Sequence, residues 1–169
     1  PQDYDIASSA HPDEVEELFP KTVGVGKQFG VMLVVEKDHK FEVATFRSDA
    51  EYMDGRRPTS VTFSDAKADA KRRDFTINGL FYNNEDDTII DYVGGYEDAK
   101  KRILRSIGNP EVRFKQDPVR MIRLLKFRAR FGLEAEKETS QAMLDCRAEI
   151  LKSSQARLLE EFFRMMESG

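Results

Sequence analysis

Residues Lys71–Tyr82, Lys-Arg-Arg-Asp-Phe-Thr-Ile-Asn-Gly-Leu-Phe-Tyr, join a run of cations to a mostly apolar segment. A carboxylate and guanidinium groups held against a packed core are typical of a binding site. One hypothesis is therefore that Arg72 and Arg73 contact phosphate oxygens and that Asp74 belongs to a metal site. The alternative, which these twelve residues by themselves favour, is an ordinary helix end, where the cations interact with the helix dipole and Asp74 caps the next turn.

The composition describes a globular protein. The 169 residues, 40% hydrophobic and 34% charged, are enough for one good-sized domain or two small ones. The longest aliphatic run, Val31–Val35, is far too short to span a bilayer. The single cysteine, Cys146, fits a cytoplasmic protein, and we expect it to be buried. Because the chain begins with Pro1, we expect a fragment of a longer protein.

The charge distribution is more informative than the net charge of −4. Residues 1–20 contain six acids and no Lys or Arg, whereas residues 100–130 contain eleven cations and two acids. An acidic end could hold metal cations and a basic stretch could hold phosphates. The alternative is two solvated faces that never meet.

Acidic side chains on predicted strands are the candidate metal ligands. If Asp3-Tyr4-Asp5-Ile6 is a strand, the carboxylates of Asp3 and Asp5 share one face, an arrangement that suits Mg²⁺. In the predicted strand 40–47, Glu42 shares its face with apolar residues. Glu42 is therefore either a third metal-site carboxylate or a buried ion-pair partner, and we favour the ion pair.

The hydrophobic pattern predicts strands followed by helices. The predicted strands are 21–25, 29–36, 40–47, a hairpin over 81–90, and 103–107; the predicted helices are 12–19, 64–72, 97–102, 118–131, 139–151 and 155–167. We expect Asp117 to cap the helix 118–131 and Gly132 to end it. The apolar residues of the last two helices are predicted to lie in the core or between helices: Met143, Ile150, Leu158, Leu159, Phe162, Phe163 and Met166.

Asp117, Arg120 and Arg123 lie at the start of the predicted helix 118–131. Adenine and cytosine each present an exocyclic amine beside a ring-nitrogen acceptor, and guanine and uracil reverse that order. One carboxylate that accepts and one guanidinium that donates would therefore match A and C. A mismatch would leave buried polar groups unpaired, at about 1–3 kcal/mol each. The alternative is a capping aspartate beside a basic surface.

Six motifs occur in a fixed order along the chain. They are Asp3-x-Asp5, Glu42-Val-Ala-Thr-Phe-Arg47, Arg72-Arg73-Asp74-Phe75-Thr76-Ile77-Asn78, Asp91-Tyr-Val-Gly-Gly95, Ile107-Gly-Asn-Pro110 and Asp117-Pro-x-Arg120. Together they resemble the class II nucleotidyltransferase superfamily, which includes bacterial poly(A) polymerase and CCA-adding tRNA nucleotidyltransferase. The resemblance covers essentially the whole chain.

The resemblance implies a role for each matching residue. It makes Asp3 and Asp5 the metal-binding pair and Asp74 the third catalytic aspartate. It places Arg72 and Arg73 at the triphosphate and Asn78 near the ribose. It assigns base recognition to Asp117 and Arg120, supported by Arg123. The implied fold is α+β: a nucleotidyltransferase head with a mixed β-sheet and flanking helices over 1–110, followed by a helical neck over 111–169.

The implied reaction is Mg²⁺-dependent transfer of AMP from ATP to an RNA 3′ end, with release of pyrophosphate. We favour a poly(A) polymerase acting on mRNA 3′ ends, because the motifs at Asp91 and Ile107 look closer to that branch. The alternatives are a CCA-adding or A-adding tRNA nucleotidyltransferase, and a non-catalytic RNA-binding fragment that uses the basic residues 100–130.

Three departures from the family pattern affect this expectation. The glycine-rich segment upstream of the aspartate pair and the helical body and tail are not in this chain. Gln116 stands where the family usually has a glutamate, which removes one charge beside the site. We expect little activity from the isolated fragment.

Overall fold

The computed structural model describes residues 5–37, 39–49 and 61–167, the side chains of Asp49 and Val61 excepted. Contacts divide the chain into two compact units, one with described residues up to Asp69 and the other starting at Ala70. The predicted division into a head of 1–110 and a neck of 111–169 comes from the family resemblance, not from contacts, and it stays a prediction. No helix in the described ranges is long and apolar enough to cross a membrane.

The first unit contains a mixed four-stranded sheet, as predicted. Its elements are strand β1 (Asp5–Ser8), helix α1 (Pro12–Leu18), and strands β2 (Thr22–Gly26), β3 (Val31–Glu36), β4 (His39–Thr45), β5 (Arg47–Asp49) and β6 (Val61–Phe63). The sheet order is β1-β4-β3-β2, with β1 parallel to β4 and the other pairs antiparallel. Strands β5 and β6 form a separate antiparallel pair that the sequence analysis did not predict.

Alternating side chains give the sheet one packed face and one open face. Met32 and Val34 of β3 and Val43 of β4 form a buried cluster with Val15 of α1. The residues between them point the other way, and Glu42 is among the exposed ones.

The second unit is mainly helical. The boundary between the two units falls within helix α2 (Ala66–Arg72). The elements that follow are β7 (Leu80–Asn83), β8 (Thr88–Asp91), α3 (Gly95–Lys100), β9 (Ile103–Leu104), α4 (Pro110–Gln116), α5 (Val119–Phe131), β10 (Glu134–Ala135), α6 (Lys137–Asp145) and α7 (Gln155–Glu167). Its buried core consists of Phe75, Leu104, Phe114, Met121, Leu124, Ala142 and Cys146. The predicted burial of Cys146 is confirmed, since only 3% of the residue is exposed.

Helix α5 is confirmed, but its start differs from the prediction. Pro118 occupies the N-cap position and no side chain caps the helix, because Asp117 ends α4 instead. Gly132 ends α5 with a φ of +58°, a left-handed conformation that glycine adopts without steric cost. The predicted helix 139–151 is broken after Asp145, and Arg147–Lys152 forms a 3₁₀ helix.

The prediction for α7 is wrong at four of its apolar positions. Leu159, Phe162, Phe163 and Met166 are 47–66% exposed rather than packed in the core. The helix instead buries Glu161, which is only 8% exposed. Arg123 and Lys126 of α5 form ion pairs with Glu161 on this buried face. Helical periodicity alone therefore assigned the wrong side of α7 to the interior.

Candidate active site

Asp5 and Glu42 form a carboxylate pair in the first unit. Asp5 of β1 lies directly opposite Glu42 of β4 in parallel register, so both side chains emerge on the same face of the sheet. Both residues are exposed. The prediction that Glu42 is a buried ion-pair partner is wrong, because it lies on the open face and pairs with no cation in the described ranges.

The carboxylate pair fits a hard divalent cation, which prefers carboxylate oxygens and retains several waters. Asp3, the other predicted metal ligand, lies outside the described residues. Within the described ranges no group of three or more His, Cys, Asp or Glu side chains could hold a metal ion. The described part of the chain therefore offers two carboxylates, Asp5 and Glu42, to such an ion.

Asp74 lies in the second unit, and protein donors contact both of its oxygens. Its Oδ1 accepts hydrogen bonds from the Phe75 amide and from Asn78 Nδ2, both at 2.9 Å. Its Oδ2 accepts one from Arg123 Nε at 2.7 Å. Burial raises the pKa of Asp74, but the Arg123 charge and these hydrogen bonds outweigh it and hold that pKa below its usual value. The predicted sharing of a metal with Asp3 and Asp5 stays a prediction.

Arg72 is the last residue of helix α2, and Arg73 lies between the helix and Asp74. Both are half-buried. Arg73 Nη1 donates to the Asn78 carbonyl at 3.1 Å, and its guanidinium lies 5.0 Å from the centre of the Phe81 ring. Arg113 donates from Nη2 to the carbonyl oxygens of both Arg72 and Arg73. The backbone of this cationic segment is therefore fixed by the protein.

Asp117 and Arg120 are neighbours at the junction of α4 and α5. Arg120 Nε lies 3.8 Å from Asp117 Oδ2, and Arg120 Nη2 donates to the Arg72 carbonyl at 3.2 Å. Arg157 of α7 donates from Nη2 to Asp117 Oδ2 at 3.0 Å. Arg157 Nη2 also lies 3.0 Å from Asp117 Oδ1, so its cation pairs with both oxygens of this carboxylate. Arg120 Nη1 is buried and makes no hydrogen bond in the described ranges. One donor of Arg120 is thus left unsatisfied next to a carboxylate that Arg157 holds.

Arg123, which the resemblance makes a support of Asp117 and Arg120, contacts two other carboxylates, and that supporting role stays a prediction. Its Nε binds Asp74, and its Nη1 lies 3.3 Å from Glu161 Oε1. Lys126 Nζ donates to Glu161 Oε2 at 2.7 Å. Burial raises the pKa of Glu161, but Lys126 and Arg123 outweigh it and lower that pKa. Arg123 therefore links the carboxylate of Asp74 to helix α7.

The second unit brings together seven of the predicted site residues in two connected groups. Asp74, Asn78 and Arg123 form one, and Arg72, Asp117 and Arg120 form the other, with Arg73 joined to Asn78. Four further residues take part that the sequence analysis missed: Arg113, Lys126, Arg157 and Glu161.

One signal for two of these missed residues was present in the sequence. Arg157 and Glu161 are four residues apart on α7, a spacing that places both on one helix face. Only the packing of α7 on α5 shows that this charged face is the buried one.

Two family models match the chain. The model described as "Poly A polymerase head domain" matches residues 1–105, and "Probable RNA and SrmB- binding site of polymerase A" matches residues 132–169.

Known proteins match nearly the whole chain. A curated CCA-adding enzyme of Bacillus velezensis is 42% identical over 168 residues, which are 99% of this chain and 42% of that enzyme. The crystal structure of the Bacillus stearothermophilus CCA-adding enzyme in complex with CTP superposes with a TM-score of 0.87 at 38% identity, covering 96% of this chain and 39% of that one. A tRNA nucleotidyltransferase complexed with a primer tRNA and an incoming ATP analog gives 0.74 at 29% identity, with coverages of 92% and 45%. The chain spans less than half the length of each.

Proposed function

Because the chain belongs to the Poly A polymerase head-domain family of class II nucleotidyltransferases, we propose that it is the nucleotide-binding part of a CCA-adding enzyme. The reaction is transfer of CMP and then AMP from CTP and ATP to the 3′ end of tRNA, with release of pyrophosphate. RNA is the acceptor, and the nucleotides are the other substrates.

The observation that carries the proposal is the pairing of Asp117 with Arg120, whose Nη1 is buried without a hydrogen bond in the described ranges. A buried polar atom without a partner costs about 1–3 kcal/mol, so a ligand that accepts from Arg120 Nη1 gains that energy. The amine of adenine or cytosine would donate to Asp117, and its ring nitrogen would accept from Arg120. Asp117 Oδ1 and Arg120 Nη1 are shielded from solvent here, so an entering base also displaces the side chains that cover them.

The triphosphate would bind at Arg72 and Arg73. Their guanidinium groups carry the positive charge that offsets the charge developing on the phosphates during transfer. Asp74 then has a supporting role in the second unit, because it fixes Asn78 and Arg123 through its two oxygens.

The carboxylate pair would hold the catalytic cation, with Glu42 joining Asp5 and the predicted ligand Asp3. Mg²⁺ bound there supplies Lewis-acid chemistry that lowers the pKa of an attacking hydroxyl and offsets charge on a leaving pyrophosphate. The two side chains contribute exposed oxygens on one face of a sheet, without competing ion pairs in the described ranges.

The preference for poly(A) polymerase is withdrawn in favour of the CCA-adding alternative, which the names of the relatives support. The motif Asp91–Gly95, on which that preference partly relied, serves the local fold. Asp91 accepts hydrogen bonds from the amides of residues 93–96. A Cβ at Gly95 would lie 2.0 Å from the Thr76 carbonyl oxygen, so this position excludes side chains.

The non-catalytic RNA-binding alternative has less support. It relies on the basic residues 100–130, but several of these cations bind protein partners. Arg105 pairs with Asp98 and Glu136, Arg123 with Asp74, and Lys126 with Glu161.

Primer extension by the full-length protein tests the proposal. With tRNA lacking its 3′ end, CTP, ATP and Mg²⁺, we expect addition of C, C and A followed by a stop. Long A tails on generic RNA would restore the poly(A) polymerase alternative, and no incorporation into either RNA would contradict nucleotidyl transfer.

A further inference from the structure

Arg113 of α4 is placed against the C-terminal end of α2. Its Nη2 donates to the Arg72 carbonyl and, at 2.7 Å, to the Arg73 carbonyl. The last carbonyls of a helix have no partner within the helix and carry partial negative charge. A planar guanidinium supplies several donors in a fixed geometry and can serve two neighbouring carbonyls at once.

The segment Arg72–Asp74 is thereby held along its length by residues of α4 and α5. Arg113 binds its first two carbonyls, and Arg123 binds the Asp74 carboxylate. Arg120 Nη2 also reaches the Arg72 carbonyl, at 3.2 Å. The proposed base-reading residue Arg120 and Arg113 therefore share one acceptor on the proposed phosphate-binding segment.

We propose that Arg113 is a positioning residue for nucleotide binding: by holding the carbonyls of Arg72 and Arg73, it orients their side chains toward the triphosphate. This inference rests on the proposed function. Arg113 contacts backbone atoms of the segment, so it acts through Arg72 and Arg73. Loss of its two-carbonyl contact loosens the peptide units from which both phosphate ligands project, with Arg120 still donating to the Arg72 carbonyl.

Arg102 provides a matched control within the same unit. Its Nη2 donates to two consecutive carbonyls, Phe131 at 2.6 Å and Gly132 at 3.2 Å, at the C-terminal end of α5. Arg120 lies near the start of α5, roughly 16 Å away along the axis at about 1.5 Å per residue. Arg102 thus makes the same kind of contact far from the proposed site, although it is more exposed than Arg113.

The test compares Arg113→Lys with Arg102→Lys in the full chain. Lysine keeps the charge but lacks the planar fork, so it cannot reproduce the two-carbonyl contact. Calorimetry would measure binding of Mg²⁺–ATP and of inorganic tripolyphosphate. We expect Arg113→Lys to weaken both affinities about tenfold, as for loss of one charge-assisted hydrogen bond. Arg102→Lys should bind both like the wild type.

A second measurement does not require a ligand. Carbonyl-carbon NMR shifts of Arg72 and Arg73 report the hydrogen bonds that they accept, and both should move in Arg113→Lys and stay unchanged in Arg102→Lys. If Arg113→Lys does not fold, Arg113→Gln, which is neutral but still donates, replaces it in both measurements with the same expected direction.

Three outcomes would overturn the inference. Wild-type affinity in the folded Arg113 variant, or an equal loss in Arg102→Lys, overturns it alone while leaving the proposed function intact. Absence of ATP binding by the wild-type chain contradicts the proposed function, and the inference fails with it.

Discussion

The carboxylates of the two units are built in opposite ways. Asp5 and Glu42 project from an open sheet face, are exposed, and form no ion pair in the described ranges. Asp74 and Glu161 are buried, with 9% and 8% of each residue exposed, and cations bind both of them. A carboxylate of the first kind is available to an incoming ion, whereas one of the second kind is committed to the protein.

This difference separates carboxylates that are proposed to take part in the reaction from carboxylates that stabilise the fold. Removing an exposed carboxylate leaves the folded state almost unchanged, because water already solvates it. Removing a buried partner leaves uncompensated charges in the interior, which costs several kcal/mol. The comparison therefore predicts activity effects in the first unit and stability effects in the second.

The largest effect is expected for Asp5→Asn in the full-length protein. Loss of a proposed metal ligand should lower nucleotide incorporation about a thousandfold, or about 4 kcal/mol of transition-state stabilisation. Single-turnover primer extension with Mg²⁺ measures it. Because Asp5 is exposed, the free energy of unfolding should change by less than about 0.5 kcal/mol.

Glu42→Gln tests the proposal that Glu42 is a metal ligand. A smaller loss of incorporation with unchanged stability fits a metal ligand beside Asp5. Full incorporation by the Asp5 variant would contradict the metal assignment and remove the contrast between the units.

The second effect concerns Glu161→Gln. Glu161 neutralises Arg123 and Lys126 in the interior, so the substitution should lower the free energy of unfolding by about 3 kcal/mol. Urea denaturation followed by circular dichroism measures this loss.

The matched control is the adjacent Glu160→Gln. Glu160 is exposed and pairs with Arg164 four residues along α7, so its loss should cost less than about 0.5 kcal/mol. Equal destabilisation by the two substitutions would mean that α7 does not bury a charged face.

The smallest effect is the dependence of stability on pH. The pKa values of Asp74 and Glu161 are lowered in the folded state from 3.8 and 4.5. Their stabilisation is therefore complete above those unfolded values and is lost as pH falls through the lower folded values, by at most about 1.4 kcal/mol per pH unit for each group. Denaturation between neutral pH and about pH 3 measures the slope.

Asp74→Asn gives the control for this slope. The variant lacks one of the two titrating groups, so its stability should fall less steeply in acid than that of the wild type. An unchanged slope would show that Asp74 is not held as an ion by Arg123.

Local pattern predicted most of the elements. The sheet strands, the hairpin β7–β8, the helix α5 and the bounds of α7 follow from periodicity and from end signals such as Pro118 and Gly132. The burial prediction fails where a helix has both an apolar face and a charged face that could pack against the protein. In α7 the larger apolar residues lie outside because Glu161 pairs with cations on α5, and no periodicity carries information about a partner helix.

The sequence by itself determined the family, the mixed α+β architecture and the residue types of the site, because motif order and hydrophobic alternation are properties of the chain. The tertiary structure decided what each charge contacts. Register placed Glu42 beside Asp5, and helix packing gave Asp74 to Arg123 and the Arg72 and Arg73 carbonyls to Arg113. The physical reason is that the environment decides what a charged residue can do: a carboxylate on an open face is accessible to an incoming ion, and one in the interior pairs with the protein's own cations.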